Sequence, residues 1–296
     1  MQPVFRFAPS PNGFLHLGHA YSALTNDALA RTVGGRFLLR IEDIDPQRSK
    51  ETFVAAIAQD LGWLGLRWEE PVLRQSRHMA DYASALGRLR ERGLAYRCFC
   101  SRGDTARRVA AFEAEGTPWP RDPDGAPLHA GPCATLSETE AQARAGEPHV
   151  WRLRMADAVS CCPALLDIGV WNPATGVVRR DAADPMAWGD VVVARRDVPT
   201  SYHLSVVVDD ARQGITHVVR GADLEAATSV HRLLQALLDL PAPIYFHHRL
   251  LLDEDGRKLA KSKLSTPLRA LREQGLTPRA VREQLGFPPG SPAMAP

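Results

Sequence analysis

One short stretch limits the possible folds of this chain more than any other: strand, turn, helix and strand follow one another within the first 41 residues. Residues 3–8 (PVFRFA) read as a strand and Pro9-Ser10-Pro11-Asn12-Gly13 as a turn. From Leu15 to Arg31 the pattern is helical, with Leu17, Ala20, Tyr21, Leu24, Ala28 and Leu29 at three- and four-residue spacing. Gly34-Gly35 stops that helix, and Arg36 to Ile41 (RFLLRI) is a second, buried-looking strand. This order predicts two parallel strands joined by a right-handed crossover. The expected class is α/β, with a Rossmann-type parallel sheet.

Helices are expected from about Lys50 to Leu61, Met79 to Arg92 and Glu225 to Leu238. Strand-like runs follow at WRLRM (from Trp151), DVVVARR, ITHVVRG and YFHHRLLL, with an apolar segment at YHLSVVVDDA. Residues 98–150 are rich in Gly, Pro, Asp and Cys and poor in large aliphatics, as expected of an insertion between two halves of a sheet. Ser137-x-x-Glu140 is a capping-box signature within it. The expected division is 1–97 and 151–262 for the two halves of a catalytic domain, 98–150 for the insertion and 263–296 for a helical tail. At 296 residues the chain has room for such a domain with a smaller insert. No run approaches the length of a membrane span and the N-terminus lacks the layout of a signal peptide, so a cytoplasmic protein is expected.

Two segments carry chemistry. In Ala8-Pro9-Ser10-Pro11-Asn12-Gly13-Phe14-Leu15-His16-Leu17-Gly18-His19, a strand passes into a helix whose free N–H groups and dipole suit phosphates. His16 and His19 share a face there. Gly18 between them would let a flat ring or a phosphate approach the backbone. Imidazoles at that point can donate hydrogen bonds to a triphosphate as charge builds in a displacement. The second segment is Lys258-Leu259-Ala260-Lys261-Ser262. The chain has only four lysines, Lys50, Lys258, Lys261 and Lys263, and three of them fall together here. Compact, mobile ammonium groups suit a leaving pyrophosphate. Unrelated surface histidines and a solvated lysine cluster are the bland alternatives.

HLGH followed at a distance by KLAKS resembles the two signatures of class I aminoacyl-tRNA synthetases. RFAPSPNGFLHLGHA, RIEDIDPQRS and VVVDDARQGITHVVRGADL resemble its glutamyl branch over nearly the whole chain. The resemblance implies activation of glutamate with ATP, accompanied by Mg²⁺, to glutamyl-adenylate. His16, His19, Lys258 and Lys261 would be catalytic, and His16, Gly18, His19 and Lys261 would meet ATP. It also implies a glutamate pocket of Arg6, Ser10, Glu42, Tyr202 and Arg220. Guanidinium forks for the carboxylates and an acid for the ammonium group fit that substrate.

Five cysteines, Cys98, Cys100, Cys133, Cys161 and Cys162, argue against a disulfide framework and for a metal site or buried thiols. Cys98 and Cys100 followed by His129 and Cys133 form two close pairs of N/S ligands, as a structural zinc needs. His129 stands where the family usually has Tyr. Cys161 and Cys162 fall outside this pattern and read as packed thiols in or near a strand.

About 33 residues follow the lysine segment, enough for one or two helices and not for an anticodon-binding domain. In this the chain is similar to the shortened group that esterifies glutamate to queuosine at the wobble position of tRNA(Asp), and ATP, L-glutamate and queuosine-bearing tRNA(Asp) are the expected partners of a monomer. A compact enzyme charging the 3′ end of tRNA(Glu), a small HxGH nucleotidyltransferase and a catalytically silent RNA-binding paralogue are the rival readings.

Overall fold

Strand β1 (Val4–Phe7), helix α1 (Leu17–Thr32) and strand β2 (Arg36–Ile41) form the expected unit. In this computed structural model, which describes residues 2–162, 166–251 and 266–288, the two strands run parallel with Phe5 opposite Phe37. Gly34 ends the helix at φ 63°, a conformation that a Cβ disfavours. Helices α2 (Glu51–Trp63) and α3 (Met79–Glu91) lie within a residue or two of their predicted limits.

The main sheet also contains β3 (Glu69–Arg74), β6 (Asp167–Trp171), β7 (Val178–Ala182), β9 (His217–Gly221) and β10 (Ile244–His248). Its order is β3-β2-β1-β9-β10-β6-β7. Every neighbouring pair is parallel except the β6–β7 hairpin. The chain winds outward from β1 through β2 to β3, and the strands on the other side of β1 come from the second half. The strand order therefore reverses between β1 and β9, where open α/β sheets bind their ligands. Phe5, Phe7, Leu24, Phe37 and Leu39 pack on one side of this region with Ile57 and Leu61 of α2.

A second, antiparallel sheet joins β4 (Ala95–Cys98), β5 (Val150–Leu153) and β8 (Val192–Ala194) in the order β4-β5-β8. Trp151-Arg152-Leu153 and the VVVARR run are strands, as read, but belong to this small sheet and not to the parallel one. Cys98 pairs with Val150, so the two ends of the cysteine-rich stretch meet across one ladder. Within that stretch lie α4 (Arg102–Glu113) and α5 (Glu138–Ala143). The expected capping box starts α5: Glu140 N donates to Ser137 Oγ at 3.2 Å, and Ser137 N to Glu140 Oε2 at 2.8 Å.

Cys161 and Cys162 follow the short helix α6 (Met155–Ser160), with Cys161 exposed. Cys162 Sγ lies 3.6 Å from the carbonyl of Ala158, so this pair closes a helix end, with β6 still five residues away. The apolar segment at 202–211 is helix α7 (Tyr202–Arg212), which packs against α3 and against α8 (Thr228–Leu237). Helices α9 (Leu268–Glu273) and α10 (Pro278–Gln284) form the tail. Leu268 N donates to Leu15 O at 2.7 Å and Leu268, Val281 and Leu285 are buried, which seals the tail onto the turn before α1. Among the described residues no helix is long and apolar enough to cross a membrane.

Candidate active site

A cavity of about 500 Å³ opens at the ends of β1, β2, β9 and β10. Arg6 and Ser10 line it from β1 and its turn, and Glu42 from the residue after β2. His16, Gly18 and His19 line it from the start of α1; Tyr202 comes from α7 and Arg220 from β9. The structure thus brings together all the site residues named from the sequence except the lysines and the Cys/His group. Lys258, Lys261, Ser262 and Lys263 lie outside the described residues. On either side of them, Leu251 lines the cavity and Pro267 bridges to His16.

The two histidines cap their own helix. His16 is the N-cap, its Nδ1 accepting from Gly18 N at 3.1 Å, while His19 Nδ1 accepts from His16 N at 3.2 Å. The rings lie 3.9 Å apart. Burial lowers the pKa of His16; burial, with His16 as neighbour, lowers His19 to about 3. A neutral imidazole that accepts at Nδ1 carries its proton on Nε2. Each ring therefore keeps one N–H donor. Gly18 has a nearer duty than the one read from the sequence: a Cβ there would stand 2.9 Å from His16 Cε1, so the glycine makes room first for the capping ring.

Arg6 enters a buried charge network that sequence reasoning missed. Its Nε donates to Asp210 Oδ1 at 2.9 Å, and Arg40 Nη1 donates to the same oxygen at 2.8 Å. Arg40, on β2, has no solvent exposure; its Nη2 lies 3.5 Å from Glu42 Oε1. Burial raises the pKa of Glu42 to about 6, against the opposing pull of Arg40 and then Arg6. Pro9 O accepts from Glu42 N at 3.0 Å, which fixes this acid beside the turn.

Arg220 is also buried, at 6% exposure, yet among the described residues it forms no ion pair with a carboxylate. Its Nη2 donates to Thr228 Oγ1 at 2.7 Å and to Leu224 O at 3.0 Å. Its Nη1 donates to His231 Nδ1 at 3.1 Å and reaches the Tyr202 hydroxyl at 3.4 Å. Thr228, His231 and His247 (3.4 Å from Nε) were not read from the sequence either.

The Cys/His group is separate. Ligand atoms of Cys98, Cys100 and His129 lie within 4.8 Å of one another. Cys133 Sγ is 3.5 Å from Cys100 Sγ and accepts from Phe99 N at 3.4 Å. His129 Nε2 is 3.4 Å from Cys98 Sγ, and burial lowers its pKa to about 4, keeping a lone pair available. A Cβ on Gly131 would collide with Cys100 Sγ and stand 2.7 Å from His129 Nε2. The donor set and this close glycine fit a small tetrahedral cation.

The family described as tRNA synthetases class I (E and Q), catalytic domain, matches residues 4–289. Over 284 residues the chain is 45% identical to a protein of Rhodobacter capsulatus named Glutamyl-Q tRNA(Asp) synthetase, covering 96% of this chain and 100% of that one. It is 39% identical to Glutamate--tRNA ligase 2 of Methylorubrum populi, covering 95% of this chain and 58% of that protein. A glutamate tRNA ligase from Elizabethkingia meningosepticum, solved in complex with its amino acid, superposes with a TM-score of 0.77 at 25% identity, over 97% of this chain and 61% of that one. The chain belongs to the class I tRNA synthetases of the E and Q catalytic-domain family and is an aminoacyl-tRNA ligase.

Proposed function

We propose that this enzyme activates glutamate with ATP and transfers it to queuosine in tRNA(Asp). The observation that carries glutamate activation is Arg220, a buried guanidinium at the cavity with no carboxylate among the described residues to balance it. A substrate side-chain carboxylate supplies the missing partner. Glu42 takes the ammonium group, and Arg6, Ser10 and Tyr202 complete the pocket. The glutamate α-carboxylate oxygen bonds to the α-phosphorus of ATP as the bond to the β-phosphate oxygen breaks. Nε2–H of His16 and His19 donate to the phosphates as charge shifts onto pyrophosphate, and Gly18 leaves them room. Lys258 and Lys261, which lie outside the described residues, would assist there. Mg²⁺ bound with ATP would offset part of the phosphate charge. A queuosine hydroxyl then attacks the acyl carbon, and AMP leaves.

The acceptor reading is supported by the name of the Rhodobacter capsulatus relative, which this chain matches along that protein's full length. Glutamate-dependent ATP–pyrophosphate exchange without tRNA tests activation; no exchange would sink it. Glutamate transfer to tRNA(Asp) with and without queuosine tests the acceptor, and equal transfer to both, or transfer to tRNA(Glu) alone, would reject it.

Glu42 gives this scheme a pH signature. The ammonium group needs the ionised acid, so bound glutamate pulls its pKa below that of the free enzyme. Below about pH 6 the free enzyme is protonated there, and KM for glutamate is expected to rise about tenfold per pH unit. A pH series of exchange kinetics checks this, and a flat KM down to pH 5 would count against the role.

We further propose that Cys98, Cys100, His129 and Cys133 hold one zinc ion, which would tie the chain between β4 and β5 into a fixed shape. Gly131→Ala is expected to weaken zinc binding by about 10-fold or more, by pushing on Cys100 and His129. Metal analysis after dialysis against a graded chelator reads this; wild-type retention in the variant would dismiss the site.

A further inference from the structure

Among the described residues, the groups that hydrogen-bond Arg220 include no acid. Thr228, His231 and His247 are all neutral acceptors. Burial and then the Arg220 charge hold His231 well below the usual histidine range, His203 down to about 4 and His247 to about 3. A buried cation is normally balanced by a carboxylate, and this fold has that solution close by, in Asp210 between Arg6 and Arg40.

The polarity of the shell is fixed by Arg220, which has donors only and does not lose its proton. His231 Nδ1 must accept, so the His231 proton sits on Nε2, which donates to His203 Nδ1 at 3.2 Å. Thr228 Oγ1 accepts from Arg220 and turns its hydroxyl hydrogen to His247 Nε2 at 3.2 Å. His247 Nε2 accepts from both, leaving its proton on Nδ1. These bonds orient the guanidinium without consuming its charge.

We propose that Thr228, His231 and His247, with His203 behind His231, are positioning residues that aim Arg220 while leaving it uncompensated, so that the cavity selects a side-chain carboxylate over the matching carboxamide. The proposal rests on the glutamate reading above. A carboxylate balances the buried cation; a carboxamide of the same shape leaves it unbalanced, and a site built around a charged partner rejects the neutral one strongly.

The test gives Arg220 an internal carboxylate, using His231→Glu and, independently, Thr228→Asp in the full chain. Glutamate-dependent and glutamine-dependent exchange are measured beside thermal melts. Either acidic variant is expected to lower kcat/KM for glutamate about 100-fold and to narrow the glutamate-over-glutamine preference at least about tenfold, with Tm kept or raised because a lone cation gains a partner. His231→Gln, which keeps a neutral acceptor, is expected to retain the preference. A merely structural shell would lower Tm and leave the preference alone. The proposal is overturned by an acidic variant whose glutamate kcat/KM stays within about threefold of wild type. It is equally overturned if His231→Gln narrows the preference as far as His231→Glu, or if both acidic variants fail to fold. A wild-type enzyme without glutamate-dependent exchange would remove the underlying reading, whereas an active wild type with insensitive acidic variants would remove this proposal alone.

Discussion

Arg220→Met is expected to lower kcat/KM for glutamate by a factor of several hundred to a few thousand in ATP–pyrophosphate exchange. The magnitude follows from removing one side of a buried charge pair, which costs about 3–5 kcal/mol. Much of that loss comes from bringing a substrate carboxylate into a buried site with no cation to meet it. The fold should tolerate the change. Arg220 has no described carboxylate to strand, and the groups it leaves, Thr228 Oγ1 and the ring nitrogens of His231 and His247, are neutral. The melting temperature should therefore stay near wild type while the glutamate response collapses. A drop in kcat/KM smaller than about tenfold would remove Arg220 from the substrate site.

Asp210→Asn should act in the opposite sense, mainly on stability. Its carboxylate serves Arg6 at 2.9 Å and the fully buried Arg40 at 2.8 Å. Without it two buried guanidiniums are left with Glu42, the charge of nearby Asp209, and the neutral Gln213 Oε1, which lies 3.1 Å from Arg40 Nη1. Breaking such a group costs about 3–5 kcal/mol, or a fall in Tm of about 10 °C. Burial raises the Asp210 pKa, but Arg6 and Arg40 outweigh it and hold the carboxyl below the usual aspartate range. A depressed acid stabilises the fold above its unfolded pKa, and the benefit fades as pH falls through the folded one. The gap in Tm between wild type and variant at neutral pH should accordingly close as the pH of the melt is lowered. A neutral-pH Tm within about 2 °C of wild type would show that Arg40 finds adequate balance elsewhere.

The parts of this molecule that the sequence revealed are those written locally. The first strand–helix–strand unit needs only apolar periodicity and a glycine stop, and the α5 capping box needs only Ser137 and Glu140. The cavity residues followed from resemblance, and the eight that are described converge. Arg40 and Asp210 were visible as charges inside the apolar runs RFLLRI and VVVDDA, and such a charge demands a buried partner. Nothing local says which partner, because 170 residues separate them. The edge strands β3 and β7 escaped for another reason: EEPVLR and VRRDA face solvent along much of their length and lack an apolar alternation to read. WRLRM showed its strand character but not its sheet, since a two-residue period does not name the neighbour.

The first turn of α1 is closed by imidazoles and not by the hydroxyl or carboxamide usual at such a position. An accepting imidazole works only while unprotonated, so the rings proposed above to donate to ATP also keep the helix start wound. Their depressed pKa values mean that this support is complete above the ordinary histidine range and drains away as the solution becomes acidic. Acid would thus unwind this end of α1 by taking away its two accepting ring nitrogens and displace the Nε2–H donors along with it, setting a lower limit on working pH that belongs to the helix itself.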